Sequence, residues 1–320
     1  MNRRSQLTRR QFSVNLVLLG AAASAAGLSG RAKAAAPGAV PAPGPRPGKN
    51  EPGKNPPAKP AKAWLTLPPT PSLPTPKRSD VVTVNGTPIF YAQFGDGPPV
   101  LLLHGGLGSS NYWGHQIQAL AENFTVTVMD TRGHGRSAVT SPKFGFSVFA
   151  DDTAALLGVL GIAQVAIVGW SDGAITGLQL AMTRPGLVSK LFAFGANSSV
   201  GGLKAGGART PVFASYAARC AREYAQLSPH PERWSELTGG LGVMWRSQPN
   251  FAKRQLAAIT APTVISDGEY DEIIKREHTE QIARDIPKAR LMILPAVSHF
   301  AMLQNPSQFN RALSEFLSAN

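Results

Sequence analysis

From Val81 onward the chain alternates between short apolar runs of strand length and longer stretches in which apolar residues recur every three or four positions. Such alternation predicts a mostly parallel sheet covered by helices on both faces. Residues 81–84 and 89–94 predict an antiparallel pair split by the Asn85-Gly86 turn. Residues 100–103, 124–129, 165–168, 191–194, 263–266 and 291–294 predict six further strands, for an eight-stranded sheet. Helical periodicity marks 116–123, 149–160, 173–182, 277–286 and 309–317. The alternation breaks at about 198–250, where Phe213, Tyr216, Tyr224, Trp234, Met244 and Trp245 fall. An insertion after the sixth strand is expected to sit as a small helical cap over the carboxyl edge of the sheet, where α/β proteins bind ligands. Most of its aromatics are expected to pack the cap, with one or two facing a substrate.

Before Val81 the pattern is of another kind. Arg9, Arg10 and Phe12 precede an apolar run from Val14 to Gly20 and alanine-rich sequence to about Gly30. Residues 1–36 resemble a twin-arginine export signal, in which a receptor of the export machinery reads Arg9 and Arg10, and Ala32-Lys33-Ala34 offers small residues for cleavage. The resemblance implies a periplasmic or secreted protein. Residues 37–79 are dominated by Pro, Ala, Gly and Lys, a composition that cannot bury a core, and predict a solvated, disordered linker. Residues 80–320 remain for one catalytic domain.

Charge changes the picture once it is located. The chain of 320 residues carries a formal net charge of +13, which would suggest a nucleic-acid partner if it were evenly spread. Thirteen of the Lys and Arg residues lie before Ser79, against the single acid Glu51, so the rest of the chain is close to neutral. Nucleic-acid binding loses its main support. The one cysteine, Cys220, forms no intramolecular disulfide and is expected to be structural; no Cys/His cluster has zinc spacing, and no glycine fingerprint calls for a nucleotide cofactor, so none is expected.

The chemistry lies at the ends of the predicted strands. Gly169-Trp170-Ser171-Asp172-Gly173 stands between a strand and a helix, the context of a nucleophile elbow, with glycines where the chain must turn sharply. A serine hydroxyl needs a base to accept its proton and an acid to orient that base. His299 follows the last predicted strand and Asp271 the one before it, so that Ser171, Asp271 and His299 share one sheet edge. Asp267, Glu269 and Glu272 are competing acids; His278 and His230 are expected in solvated or packing roles. The loop His104-Gly105-Gly106-Leu107-Gly108 lets backbone come close to a substrate, and the amides of Gly106 and Asp172 are the expected oxyanion donors. His104, Trp170 and Asp172 are candidate substrate contacts. The turn from Asp130 to Ser137 invites a metal or acid-base reading, but Asp130 and Arg132 are expected to tie down loops.

Together the His104-Gly105-Gly106 loop, the Asp130 to Ser137 turn, the Ser171 elbow, the Asp271 loop and His299 resemble the α/β-hydrolase superfamily over residues 80–320. The elbow with Ile175-Thr176, and Gly195-Ala196-Asn197 after the sixth strand, resemble the biphenyl hydrolase-like/valacyclovir hydrolase group more narrowly. That resemblance implies cleavage of α-amino acid esters, with Asp172 holding the substrate ammonium. The residues alone allow another role for Asp172, a carboxylate favouring the helix N-terminus. The expected function is an exported serine hydrolase acting on a small-molecule ester through an acyl-enzyme. Carbon–carbon bond hydrolysis, enol-lactone hydrolysis and cofactor-free perhydrolysis use the same residues, and a non-catalytic ligand-binding protein is the alternative of another class. Gly173-Ala174 departs from the double glycine of the narrower group.

Overall fold

A computed structural model describes residues 62–140 and 144–319. The expected export signal and the first part of the linker lie outside the described residues. Eight strands form one sheet: β1 (Arg78–Val84), β2 (Thr87–Phe94), β3 (Pro99–Leu103), β4 (Thr125–Met129), β5 (Val165–Trp170), β6 (Val188–Phe194), β7 (Thr263–Gly268) and β8 (Ala289–Leu294). Their order is β1-β2-β4-β3-β5-β6-β7-β8, with β2 antiparallel to both neighbours and every pairing from β4 to β8 parallel. All residues of β5 and β7 are buried, as strands covered on both faces must be. All eight strands occur where the apolar runs predict them.

The longer helices outside the cap are α1 (Gly114–Leu120), α2 (Phe146–Val159), α3 (Asp172–Thr183), α7 (Arg276–Asp285) and, after the last strand, α9 (Pro306–Ser318). Between β6 and β7 the chain leaves the sheet and builds the cap from α4 (Pro211–Leu227) and α5 (Trp234–Ser247), followed by the short α6 (Lys253–Leu256). Thr210 caps α4 by accepting from the Phe213 amide, with Pro211 at the first helical position. Another single turn, α8 (Ala301–Gln304), follows His299. Parallel strands deliver the loops after β5, β7 and β8 to one edge, which is how Ser171, Asp271 and His299 come to share it.

The expected linker needs correction at its C-terminal end. Residues 62–77 lie against the domain, and β1 begins at Arg78. Trp64 stacks on Tyr270, with ring centroids 4.1 Å apart and planes 12° from parallel. Arg219 of α4 donates to the carbonyls of Leu67 and Pro68, and Gln304 donates to that of Thr66. A proline-rich strand cannot form a core, but its carbonyls remain free to accept from long side chains, and Trp64 supplies an apolar anchor. Composition reports the first property and not the second.

The turn after β4 behaves as expected. Asp130 accepts from the amides of Ser110 and Arg136 and from the Arg136 guanidinium, and so holds two loops together. Arg132 makes a bidentate pair with Asp152 of α2 at 2.5 and 2.7 Å, both side chains buried. Removing one member of such a pair strands a buried charge, so Arg132→Ala is expected to cost about 3 kcal/mol, read as a lower urea midpoint at unchanged slope. A loss within 0.5 kcal/mol would mean that the pair is not holding the turn.

Candidate active site

Ser171 occupies a backbone conformation that side chains rarely adopt, φ 54° and ψ −120°, between the end of β5 and the start of α3. The surroundings enforce it. A side chain at Gly169 would overlap the Gly173 carbonyl and Ala174, and one at Gly173 would overlap the Leu103 carbonyl on β3. Glycine at both positions therefore lets α3 begin against the sheet, and the Ser171 amide closes the turn by donating to the Phe194 carbonyl at 2.9 Å. The strain is of order 1–3 kcal/mol and persists because the packing over-determines it.

His299 Nδ1 lies 2.6 Å from Asp271 Oδ2, both side chains buried. The other oxygen of Asp271 accepts from the amides of Ile273 and Ile274 at 2.6 and 2.7 Å. Burial pushes the Asp271 carboxyl up, but His299 and the surrounding donors outweigh it and hold it at about 2. Burial pulls His299 down, but Asp271, Glu272 and Asp172 outweigh that and raise it above the ordinary imidazole value. With Nδ1 donating to the carboxylate, Nε2 is the nitrogen left for proton transfer. Ser171 Oγ makes no hydrogen bond among the described residues; such contacts are often loose before substrate binds.

The competing acids are placed apart from the imidazole nitrogens. Glu272 accepts from the His299 amide and Glu269 from the Ala296 amide. Asp267 is buried beside Asp271. His278 accepts from the Ser198 amide and pins the start of the cap. Cys220 is buried against the Tyr112 hydroxyl, with its thiol pushed up to about 12 chiefly by burial, a packing role.

A crevice too narrow to admit a water molecule lies between the glycine loop and α3, lined among others by Gly106, Thr131, His134, Asp172 and Thr176. The Gly106 and Asp172 amides donate to no group among the described residues, as oxyanion donors require. His104 lines the crevice too, but its Nδ1 donates to the Gly105 carbonyl and its Nε2 accepts from the Thr131 amide. Both nitrogens are therefore spent on holding loops. Trp170 corrects the expected substrate contacts further: its ring is buried among Tyr112, Tyr216, His299 and Phe300, because as the last residue of the wholly buried β5 it packs into the core.

The cap supplies two contacts absent from the expected site residues. Tyr216 donates to the Gly106 carbonyl at 2.7 Å, fixing the glycine loop. Trp245 Nε1 donates to both carboxylate oxygens of Asp172, at 3.1 and 2.9 Å. Their signal in the sequence was the cluster of cap aromatics, which carries no information on which ring reaches the site. Burial pushes the Asp172 carboxyl up to about 7, against the opposing effects of Trp245 and His299.

A family model described as the alpha/beta hydrolase fold matches residues 98–238. The serine hydrolase BPHL of Mus musculus is 30% identical over 280 residues, covering 81% of this chain and 94% of the mouse protein. A putative carbamate hydrolase RutD of Pseudomonas savastanoi pv. phaseolicola is 26% identical, covering 72% of this chain and 98% of that protein. The enol-lactonase structure from Burkholderia xenovorans LB400 shares the fold at a TM-score of 0.62 and 20% identity, covering 75% of this chain and all of that one.

A carboxyl whose folded value is raised opposes folding when it ionises, so Asp172 lowers stability as pH rises from about 4 towards about 7. Asp172→Asn keeps an acceptor for Trp245 without the charge. The variant is expected to match the parent at pH 4 and to exceed it at pH 8 by a few kcal/mol, of the order of the shift. Denaturant titrations at the two pH values check this, and a variant less stable than the parent at pH 8 would contradict it.

Proposed function

The chain belongs to the α/β-hydrolase family and is a hydrolase in kind, and from that premise we propose that it is a serine hydrolase cleaving carboxylic esters through an acyl-enzyme on Ser171. The observation that carries the reading is the buried 2.6 Å contact of His299 with Asp271, on the same sheet edge as a serine in a strained elbow. Ser171 Oγ attacks the ester carbonyl while His299 Nε2 takes its proton. The developing oxyanion accepts from the Gly106 and Asp172 amides. His299 then returns the proton to the departing alkoxide, which leaves as the alcohol. Water attacks the acyl-enzyme with His299 again as base, and the carboxylic acid leaves as Ser171 recovers its proton.

Within this activity the substrate class is α-amino acid esters. A carboxyl desolvated beside the nucleophile gains most from an incoming cation, which restores its ionised form. Trp245 Nε1, already donating to Asp172, supports the same preference for a donor at that place.

Ser171→Ala is expected to lower kcat by about 10⁴-fold or more while leaving the thermal midpoint close to the parent's. An alanine ester and a propionate ester of the same alcohol separate the substrate classes: the amino ester is expected to be turned over faster, and Asp172→Asn to remove that advantage alone. Equal loss for both esters in Asp172→Asn would contradict the ammonium role, and full activity in Ser171→Ala would defeat the serine mechanism.

Export through the twin-arginine-type segment is part of the proposal, supported by Arg9, Arg10 and Phe12 ahead of the Val14 to Gly20 run. Replacing Arg9 and Arg10 together by Lys is expected to retain the protein in the cytoplasmic fraction. Unchanged export of that variant would contradict it.

A further inference from the structure

Two carboxyl groups sit buried at the end of β7, and the proposed mechanism uses only one of them. Asp267 is 1% exposed and Asp271 is 3% exposed. Their side chains are in hydrogen-bond contact. Among the described residues neither carboxyl has a lysine or arginine partner; the single cationic contact of the pair is His299, on Asp271. Lys204 reaches the Asp271 backbone carbonyl, and Lys275 reaches that of Gly201. Glu272 and Glu269, the nearest further acids, are engaged by the amides of His299 and Ala296.

Two buried carboxylates in contact cannot both be ionised against one imidazole, so the pair must hold a proton. The other contacts decide which member holds it. Asp271 has His299 on one oxygen and two amides on the other, three donors that all favour its anion. Asp267 has one hydroxyl, from Thr279 of α7 at 2.8 Å, and the adjoining Gly268 amide at 2.8 Å. The weaker donor set leaves the proton with Asp267.

We propose that Asp267 is a neutral carboxylic acid whose proton is hydrogen-bonded to Asp271, making it the positioning residue behind the Asp271–His299 pair. The inference rests on the reading of Ser171, His299 and Asp271 as the catalytic triad, behind which Asp267 acts only by positioning. The direction of the two carboxyls agrees: Asp267 is raised far above the usual range by burial and by Asp271, while Asp271 is held low, Asp267 being one of the groups that lower it. A neutral donor at this place fixes the carboxylate against rotation and adds no second negative charge beneath the imidazole.

Asp267→Asn and Asp267→Leu separate this from a structural role. Asparagine replaces the acid by a neutral donor of the same shape, so kcat on a simple ester stays within about twofold and the pH limb assigned to His299 does not move. Leucine removes the donor; kcat falls by roughly tenfold or more, as expected for a misplaced catalytic pair, KM holds, and the limb shifts to higher pH because Asp271 becomes more basic. Infrared difference spectra of the parent against Asp267→Asn read the proton directly: a protonated-carboxyl carbonyl band in the parent that vanishes in the variant supports the assignment. Absence of that band overturns it. So does a shift of the limb to lower pH in Asp267→Asn, since that marks loss of an anion, and so does a leucine variant with unchanged kcat and limb. Full turnover by Ser171→Ala would fell the triad reading while leaving the infrared result standing, which keeps the two failures distinguishable.

Discussion

The approach of α3 to the sheet at the elbow is the constraint on which the site depends. Gly173 packs on the Leu103 carbonyl and Gly169 on the backbone of Gly173 and Ala174, contacts that any side chain would block. With the helix seated so closely, Ser171 is held in the strained conformation at positive φ. The same seating puts the Asp172 amide at the first position of α3, where no intrahelical acceptor exists, and the Asp172 side chain against Gly106. The proposed nucleophile, the proposed oxyanion donor and the candidate specificity residue are thus products of one steric arrangement.

Polar groups around this point are held in a tightly burdened interior. Asp130, Arg132, Asp152, Asp267, Asp271 and His299 are all buried. Those that serve structure are matched by strong partners, as in the bidentate Arg132–Asp152 pair. Those at the site are less evenly matched: Asp172 has only an indole N–H, and Asp267 a hydroxyl and a single amide. Burial raises both carboxyls and these few donors do not offset it, and shifted carboxyls beside a proposed nucleophile are typical of sites that trade stability for chemistry.

Much of this was legible in the sequence because it is local. The eight apolar runs specify the strands, and the strand-serine-helix sequence around Ser171 specifies the turn, since steric demands there fall on neighbours within two residues. Asp271 stands apart from Asp267, Glu269 and Glu272 only once the loop geometry places it against His299, although its position late in the loop already favoured it. What the sequence hid are contacts across large separations. Trp245 meets Asp172 from 73 residues away and Tyr216 meets Gly106 from 110. The proline-rich segment is anchored by Arg219, some 150 residues on. Aromatic content marked the cap without fixing the direction of any ring, and for the same reason Trp170 read as a substrate contact although it faces the core.

The central claim is that Ser171 is the nucleophile and that His299 activates it. Treating the protein with a fluorophosphonate ester, then mapping the modified peptide by mass spectrometry, tests both parts at once. The account predicts a single adduct on Ser171, formed at a rate that collapses in His299→Ala. An adduct elsewhere, or labelling of Ser171 at the same rate without His299, would contradict it.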